Sequence, residues 1–160
     1  MKRPRVVVTG LGVVSSIGIG WQNFWDALLA GRSGISEVSS FDTTGFPVHR
    51  GGEVRGFHPE EFITSERVKR YNRASQFAIA ASKMAVADAH LDLSVIPRQR
   101  IGVAIGTTMA EAQAIEAIDS EWIEHHNENQ IHSRLVPQYP ANVIGAHIAV
   151  ELGCYGPNML

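Results

Sequence analysis

The stretch that decides the fold is RVVVTGLGVVSSIG, residues 5–18. It begins with a β-branched apolar run, residues 5–9, and continues into a Gly- and Ser-rich segment, residues 10–20. β-Branched side chains pack well on a pleated surface and glycine ends such runs, so we expect a buried strand followed by a long turn. Basic residues precede the run as in a secretory signal, but the glycines and serines interrupt the apolar stretch, which favours the strand.

Length and composition indicate one globular domain, residues 1–160, in the cytoplasm. The 44% hydrophobic content suffices for one buried core. Fourteen basic and sixteen acidic residues give a net charge of -2, which excludes the basic field that nucleic acids require. The single cysteine, Cys154, excludes an internal disulfide, and no apolar run approaches the ~20 residues of a membrane span.

Apolar periodicity predicts helices over residues 21–30, 68–91 and 141–152. Another helix is predicted after Thr108, because Thr108 and Glu111 have the spacing of a capping box. Residues 101–105 predict a second core strand, and a further strand begins at Met159. The glycine-punctuated residues 33–58 are expected to form loops and short strands.

The glycine loop does not predict a nucleotide site. Gly10 and Gly12 follow a predicted strand, but the dinucleotide fingerprint requires a third glycine where Ser15 stands. No Gly-Lys-Ser/Thr follows either, so a phosphate-binding loop is not indicated.

Histidine and cysteine positions point to no metal centre or activated nucleophile. His125, His126 and His132 lack a recognisable ligand spacing, and solvated helix-end histidines are the simpler interpretation. Cys154 follows a predicted helix exit, whereas a catalytic thiol needs a helix N-terminus or a nearby base. A buried structural thiol is therefore favoured over a hydrolase that uses Cys154.

Five segments in order together resemble the β-ketoacyl-acyl-carrier-protein synthases; they are residues 5–18, 24–35, 75–91, 101–107 and 156–158. The resemblance implies an α/β, thiolase-like fold of α-β-α-β-α layers, of which residues 1–160 are an incomplete N-terminal half. It implies a homodimer and a decarboxylative Claisen condensation of malonyl-acyl carrier protein with a cysteine-bound acyl group, in fatty-acid or polyketide synthesis. No cofactor is expected.

The resemblance places the catalytic groups outside these residues. The family's nucleophile lies in a Thr-Ala-Cys segment just beyond Gly-Pro-Asn, here Gly156-Pro157-Asn158, and two histidines follow in the second half. No catalytic residue is assigned up to Leu160, so the 160 residues alone are expected to be inactive. The loop Gly106-Thr-Thr-Met-Ala-Glu111 also lacks the glycines of many members, which leaves open a non-catalytic, chain-length-factor-like subunit.

Further roles are implied by the same resemblance. Met109 matches the acyl-channel gate, although an ordinary core methionine is an equal alternative; the expected channel residues are Thr107, Met109, Gln138 and Asn142. A basic run is expected to dock acyl carrier protein, although a solvated face is the simpler interpretation; it comprises Arg67, Lys69, Arg70 and Arg73. A second ketosynthase protomer, or the chain-length-factor-like subunit, is the other expected partner.

Overall fold

The computed structural model describes residues 4–126, 136–138 and 140–160. The chain divides into two units. The first comprises the residues up to His58 together with Ala81–Leu91, and the second comprises Pro59–Ala80 with Asp92–Leu160. The single incomplete domain expected from the sequence stays a prediction. None of the helices in the described ranges is both long enough and apolar enough to cross a membrane.

The first unit contains two short antiparallel strand pairs, one complete helix and the C-terminal half of a longer helix, residues 81–88. Its complete elements are β1 (Val14–Ser15), β2 (Gly18–Ile19), α1 (Trp21–Leu29), β3 (Ser36–Glu37) and β4 (Arg50–Gly51). Strand β1 pairs with β2, and β3 pairs with β4. Helix α1 confirms the prediction over residues 21–30, and Gly31 follows it with φ +62°, the left-handed conformation that favours glycine after a helix. The short strands of residues 33–58 are confirmed.

The predicted buried strand over residues 5–9 is wrong. These residues form no ladder, and the side chains of Val6 and Val8 are 94% and 81% exposed. A β-branched run becomes a strand only when its N–H and C=O groups pair with a neighbouring strand. Among the described residues, no such neighbour pairs with this run.

The helix predicted over residues 68–91 is confirmed but is shorter at both ends: helix α3 spans Arg73–Asp88. A separate short helix, α2 (Ser65–Val68), ends where the predicted helix would begin, and a turn separates the two. The side-chain amide of Gln76 donates hydrogen bonds to the carbonyls of Val68, at 3.1 Å, and Tyr71, at 2.7 Å. This side chain satisfies carbonyl groups that a continuous helix would have used, so the turn is stable.

The second unit is built on helix α5 (Val143–Leu152), which packs on a parallel strand pair. Strand β5 (Val103–Ala104) pairs with β6 (Asn158–Met159) in the register Val103↔Asn158 and Ala104↔Met159. Both predicted strands are confirmed, although β5 is shorter than residues 101–105. The core contains four buried isoleucines from three segments: Ile63, Ile79, Ile144 and Ile148. Helix α5 ends at Gly153, which has φ +66°.

Helix α4 (Ala112–His125) is the remaining α-helix of the described residues, which also contain 3-10 turns at Pro59–Glu61, Arg98–Arg100 and Val136–Gln138. It is confirmed as a helix, but its predicted capping box is wrong. Its N-cap is Glu111, no side chain caps it, and the carboxylate of Glu111 contacts Ser75 on helix α3 instead. The helix begins three residues later than the box requires, so Glu111 is at the N-cap position instead of the third position of the helix.

Candidate functional site

The parallel strand pair fixes where the candidate channel loop lies. The N–H of Ile105 donates a 3.0 Å hydrogen bond to the carbonyl of Met159, which extends the ladder beyond β5. Parallel strands end at the same edge of a sheet. Leu160 and the loop over residues 106–110 therefore leave the sheet at one edge, which is where ligands bind in open α/β sheets.

A side-chain hydrogen bond within the loop over residues 106–110 closes it. The N–H of Ala110 donates a 3.1 Å hydrogen bond to Oγ1 of Thr107. Ala110 has φ +49°, which is unfavourable for a residue with a Cβ and persists only where the surroundings impose it. Met109, between these two residues, has a side chain that is 67% exposed. It is therefore not the ordinary core methionine that the sequence left as an alternative.

An open groove of about 480 Å³ begins at Met109 and follows one side of helix α4. Its lining mixes small, apolar and acidic side chains: Met109, Ala112, Ile115, Glu116, Asp119, Ser120 and Ile123. Four of its seven lining residues are apolar and two are acidic, so the groove suits a chain of methylene groups better than an anionic ligand.

The other two expected channel residues lie on a separate segment. Gln138 ends the 3-10 turn Val136–Gln138, which packs against helix α4. Asn142 is exposed and is the N-cap of helix α5, where its carbonyl accepts the N–H of Ala146 at 3.2 Å. Thr107 and Met109 thus share one loop, while Gln138 and Asn142 precede the next helix.

Just behind the loop lies a buried polar cluster that sequence analysis missed. Glu111 is 2% exposed, and Ser75 is fully buried. The carboxylate of Glu111 accepts the backbone N–H of Ser75 at 3.0 Å and also its hydroxyl group. Ser75 is in the first turn of helix α3, so the charge of Glu111 meets unpaired N–H groups and the positive end of the helix dipole.

His147 on helix α5 completes this cluster. Its Nδ1 lies 2.8 Å from the hydroxyl oxygen of Ser75, and its ring centroid lies 4.3 Å from that of Tyr71. Because a carboxylate only accepts, the Ser75 hydroxyl donates to Glu111, and Nδ1–H of His147 must donate to Ser75. Desolvation by burial lowers the pKa of His147, while the nearby carboxylates of Glu111 and Glu151 act in the opposite direction.

This cluster cannot act as a nucleophilic triad. In such a triad the serine donates to the histidine, and the carboxylate holds the far side of the imidazole. Here the direction is reversed, and Ser75 has no surface through which a substrate could reach it. The cluster therefore stabilises structure. The sequence signal for this cluster was Glu111, but the local spacing assigned its side chain to the start of helix α4 and not to helix α3, where Ser75 lies.

The basic run contains residues with partners inside the chain. Arg67 forms a 2.7 Å ion pair with Glu151, whose side chain is 5% exposed, and this pairing raises the pKa of Arg67. Arg70 pairs with Glu66 at 2.6 Å, and the Arg73 guanidinium lies 4.5 Å from the ring centre of Phe77. Lys69 is exposed.

Cys154 is buried directly after the left-handed Gly153. Burial raises the pKa of the Cys154 thiol, against a smaller opposing effect of Arg98. The thiol also lies at a helix C-terminus, where the dipole disfavours a thiolate. The geometry thus gives no activated nucleophile at Cys154.

His125 and His126 are exposed, whereas His132 lies outside the described residues. Within the ranges that the structure describes, no group of three or more His, Cys, Asp or Glu side chains is placed to hold a metal ion.

Comparison with known proteins gives consistent likenesses. The chain is 33% identical to 3-oxoacyl-[acyl-carrier-protein] synthase 2 of Synechocystis sp. (strain PCC 6803) and 35% identical to that of Vibrio cholerae. Each alignment covers 99% of this chain and 38% of the relative. The chain thus spans well under half the length of these relatives.

Two solved structures share the fold. One, of the ishigamide ketosynthase/chain length factor, has a TM-score of 0.91 and 32% identity over 99% of this chain and 40% of that chain. The other is the AntDE:AntF complex, a type II PKS acyl-carrier protein with its ketosynthase bound to the hexaketide; its TM-score is 0.75, with 28% identity over 94% of this chain and 36% of that chain. The thiolase-like α/β fold expected from the sequence is confirmed.

A family model described as "Beta-ketoacyl synthase, N-terminal domain" matches residues 3–160. Since this match spans nearly the whole chain, the chain belongs to the β-ketoacyl synthase family.

Proposed function

We propose that this chain is part of a condensing enzyme that joins malonyl-acyl carrier protein to a cysteine-bound acyl group by decarboxylative Claisen condensation. The observation that carries the proposal is the parallel pairing of β5 with β6. It brings Leu160, after which the family resemblance places the nucleophile, to the same sheet edge as the Thr107–Met109 loop. An acyl chain on that nucleophile would start beside this loop.

The proposed acyl channel runs from the loop along helix α4. The exposed thioether of Met109 forms one wall, and the groove beyond it offers Ile115 and Ile123 to an aliphatic chain. Methionine suits such a position because its side chain has several rotatable bonds and adapts to ligands of different shape. Gln138, in the turn that packs on α4, and Asn142, at the start of α5, do not line this groove in the structure and are proposed to contact the acyl chain further along the channel.

Acyl carrier protein is the proposed partner for the basic run. Arg67 and Arg70 pair with Glu151 and Glu66, yet their side chains remain 46% and 69% exposed, so further guanidinium donors are available to a partner. Lys69 lies between them in sequence and is free to contact an acidic partner. The second partner is another ketosynthase protomer, and the proposed location is the cytoplasm.

A chain-length-factor-like subunit is the second candidate. Two observations favour it: the likeness to the ishigamide ketosynthase/chain length factor, and the presence of Glu111 where the resemblance leads one to expect glycine. In that role the chain would shape the acyl channel of a heterodimer without carrying the nucleophile.

The decisive experiment uses the full-length protein encoded by the gene. Its coding sequence past Leu160 is read first, and the purified protein is then given acyl- and malonyl-carrier protein, alone and with a ketosynthase partner. A cysteine at the nucleophile position and a β-ketoacyl product from the protein alone support the enzyme. Another residue there, with product only in the heterodimer, supports the second candidate. No product in either arrangement overturns both.

Carrier docking has its own test. Lys69→Glu in the full-length protein is expected to raise KM for malonyl-carrier protein severalfold with little change in kcat, because a rim charge acts mainly on encounter. Arg32→Glu, an exposed residue of the other unit, is the matched charge reversal and is expected to leave KM unchanged. Equal KM values in the two variants would exclude this surface.

A further inference from the structure

The candidate channel loop is held at both of its ends. At the first, Thr107 Oγ1 accepts the N–H of Ala110. At the second, the buried carboxylate of Glu111 is fixed to Ser75 in the first turn of helix α3. Met109 is two residues before Glu111, so its backbone lies between these two anchors.

The second anchor is the stronger one. Glu111 receives two hydrogen bonds from one residue, and one of them comes from a backbone N–H that a helix start leaves unpaired. Hydrogen bonds to a charged acceptor are shorter and stronger than neutral ones. Ser75 is itself held by His147, so the anchor extends from α4 through α3 to α5.

The backbone before Glu111 shows that the loop is constrained. Ala110 has φ +49°, although a residue with a Cβ avoids this region. Such a conformation persists when neighbouring contacts over-determine it. Here the contacts are the Thr107 hydrogen bond on the same residue and the Glu111 anchor on the next one.

We propose that Glu111 is a positioning residue that fixes the Met109 loop and thereby narrows the range of acyl-chain lengths that the channel accepts. This inference rests on the proposed condensing function. With its backbone fixed, Met109 can adjust only through its side-chain torsions, so the width at the start of the groove varies little. Releasing Glu111 frees the backbone as well, and the channel then admits chains of more varied length.

The test uses the full-length protein, in the heterodimer if that is the active form. Glu111→Ala removes the anchor, Glu111→Gln retains an oxygen for the two Ser75 donors, and Glu124→Ala removes an exposed carboxylate from the same helix. Two readouts are made: product lengths from primers of graded length, and hydrogen exchange of the amides of residues 106–110. Glu111→Ala leaves buried hydrogen-bond donors unpaired and could prevent folding. If Glu111→Ala does not fold, Ser75→Ala, which removes only the hydroxyl group, replaces it as the variant with a weakened anchor.

We expect exchange in the loop to be about tenfold faster in Glu111→Ala, because local opening becomes easier. Its product lengths should broaden, with KM values for primers of different length converging. Glu111→Gln should restore most of the wild-type distribution, and Glu124→Ala should match wild type throughout. An active Glu111→Ala enzyme with wild-type product lengths overturns the inference alone. A wild-type protein without condensing activity in any arrangement overturns the proposed function, and the specificity role with it.

Discussion

The indole Nε1 of Trp21 donates a 2.7 Å hydrogen bond to Oδ1 of Asp88, which lies 67 positions further along the chain. The other carboxylate oxygen of Asp88 accepts the backbone N–H of Leu11 at 2.9 Å. One carboxylate at the end of helix α3 therefore holds both the glycine loop and the first residue of helix α1. This explains how a loop rich in glycine keeps a defined position in the first unit.

Replacing Asp88 by Ala should lower the thermal unfolding midpoint. The Leu11 and Trp21 hydrogen bonds lower the pKa of Asp88 below its ordinary value of 3.8. A lowered pKa means that the ionised form stabilises the fold above that ordinary value, and that this contribution is lost as pH falls through the lowered pKa. The unfolding midpoints of the variant and the wild type should thus differ at neutral pH and converge in acid.

Asp26→Asn, a change at an exposed position on helix α1, is the control and should leave the midpoint unchanged. Equal midpoints for wild type and Asp88→Ala at neutral pH would contradict the role of Asp88.

Gly12 is expected to tolerate no side chain. A Cβ at this position would overlap the carbonyl oxygen of Ala81 and approach the backbone nitrogen of Ala85 to 2.9 Å. Overpacking of this kind typically costs about 1–3 kcal/mol, and Gly12→Ala should lower the free energy of unfolding by about that amount. Gly45→Ala meets nothing within 4 Å and should change it by no more than ~0.5 kcal/mol. Similar values for the two variants would show that the loop shifts away from the helix.

Local signals in the sequence were sufficient to predict where helices α1 and α5 end. The ends of α1 and α5 depend on Gly31 and Gly153, whose left-handed conformation is decided by their own lack of a side chain. The close packing that requires glycine at position 12 could not be predicted from local sequence, because the helix that contacts Gly12 is formed by residues far along the chain.

Interactions between distant residues explain the wrong predictions. Thr108 and Glu111 have the right spacing for a capping box, but the Ser75 backbone offers Glu111 a buried partner that no local pattern reveals. The run of valines after Arg5 has strand propensity, yet propensity cannot supply the neighbouring strand that a ladder requires. The candidate channel residues came from family resemblance and stay predictions.

His147 should make stability depend on pH in the range where histidine titrates. Burial lowers its pKa below 6.5, so the unfolded chain binds a proton more readily than the folded one does. Stability is then full above pH 6.5 and falls as pH drops towards the lowered pKa. The groups that face the ring are Glu111, Glu151 and the ring of Tyr71; both carboxylates reduce the effect without reversing it.

The measurement is the urea midpoint at about pH 7.5 and about pH 5.5 for wild type and His147→Gln. Wild type should lose more stability than the variant between the two pH values, because glutamine has no proton to gain. His58→Gln, at an exposed position, should retain the wild-type difference. An identical pH dependence in wild type and His147→Gln would show that other groups cause it.

Cys154 should react slowly with alkylating reagents in the native protein. The thiolate is the reactive form, and burial both raises the pKa of this thiol and blocks access to it. Alkylation then proceeds through local opening, so its rate should rise steeply with urea and approach that of an unfolded thiol. Peptide mapping after iodoacetamide treatment measures Cys154 separately from any other cysteine in the full-length protein.

Fast alkylation of Cys154 in the native protein would contradict its buried position. If alkylation also abolished a thioesterase activity, Cys154 would have to be assigned as a nucleophile. Persistence of condensing activity in Cys154→Ala would instead assign the chemistry to another residue, because a structural thiol contributes packing alone.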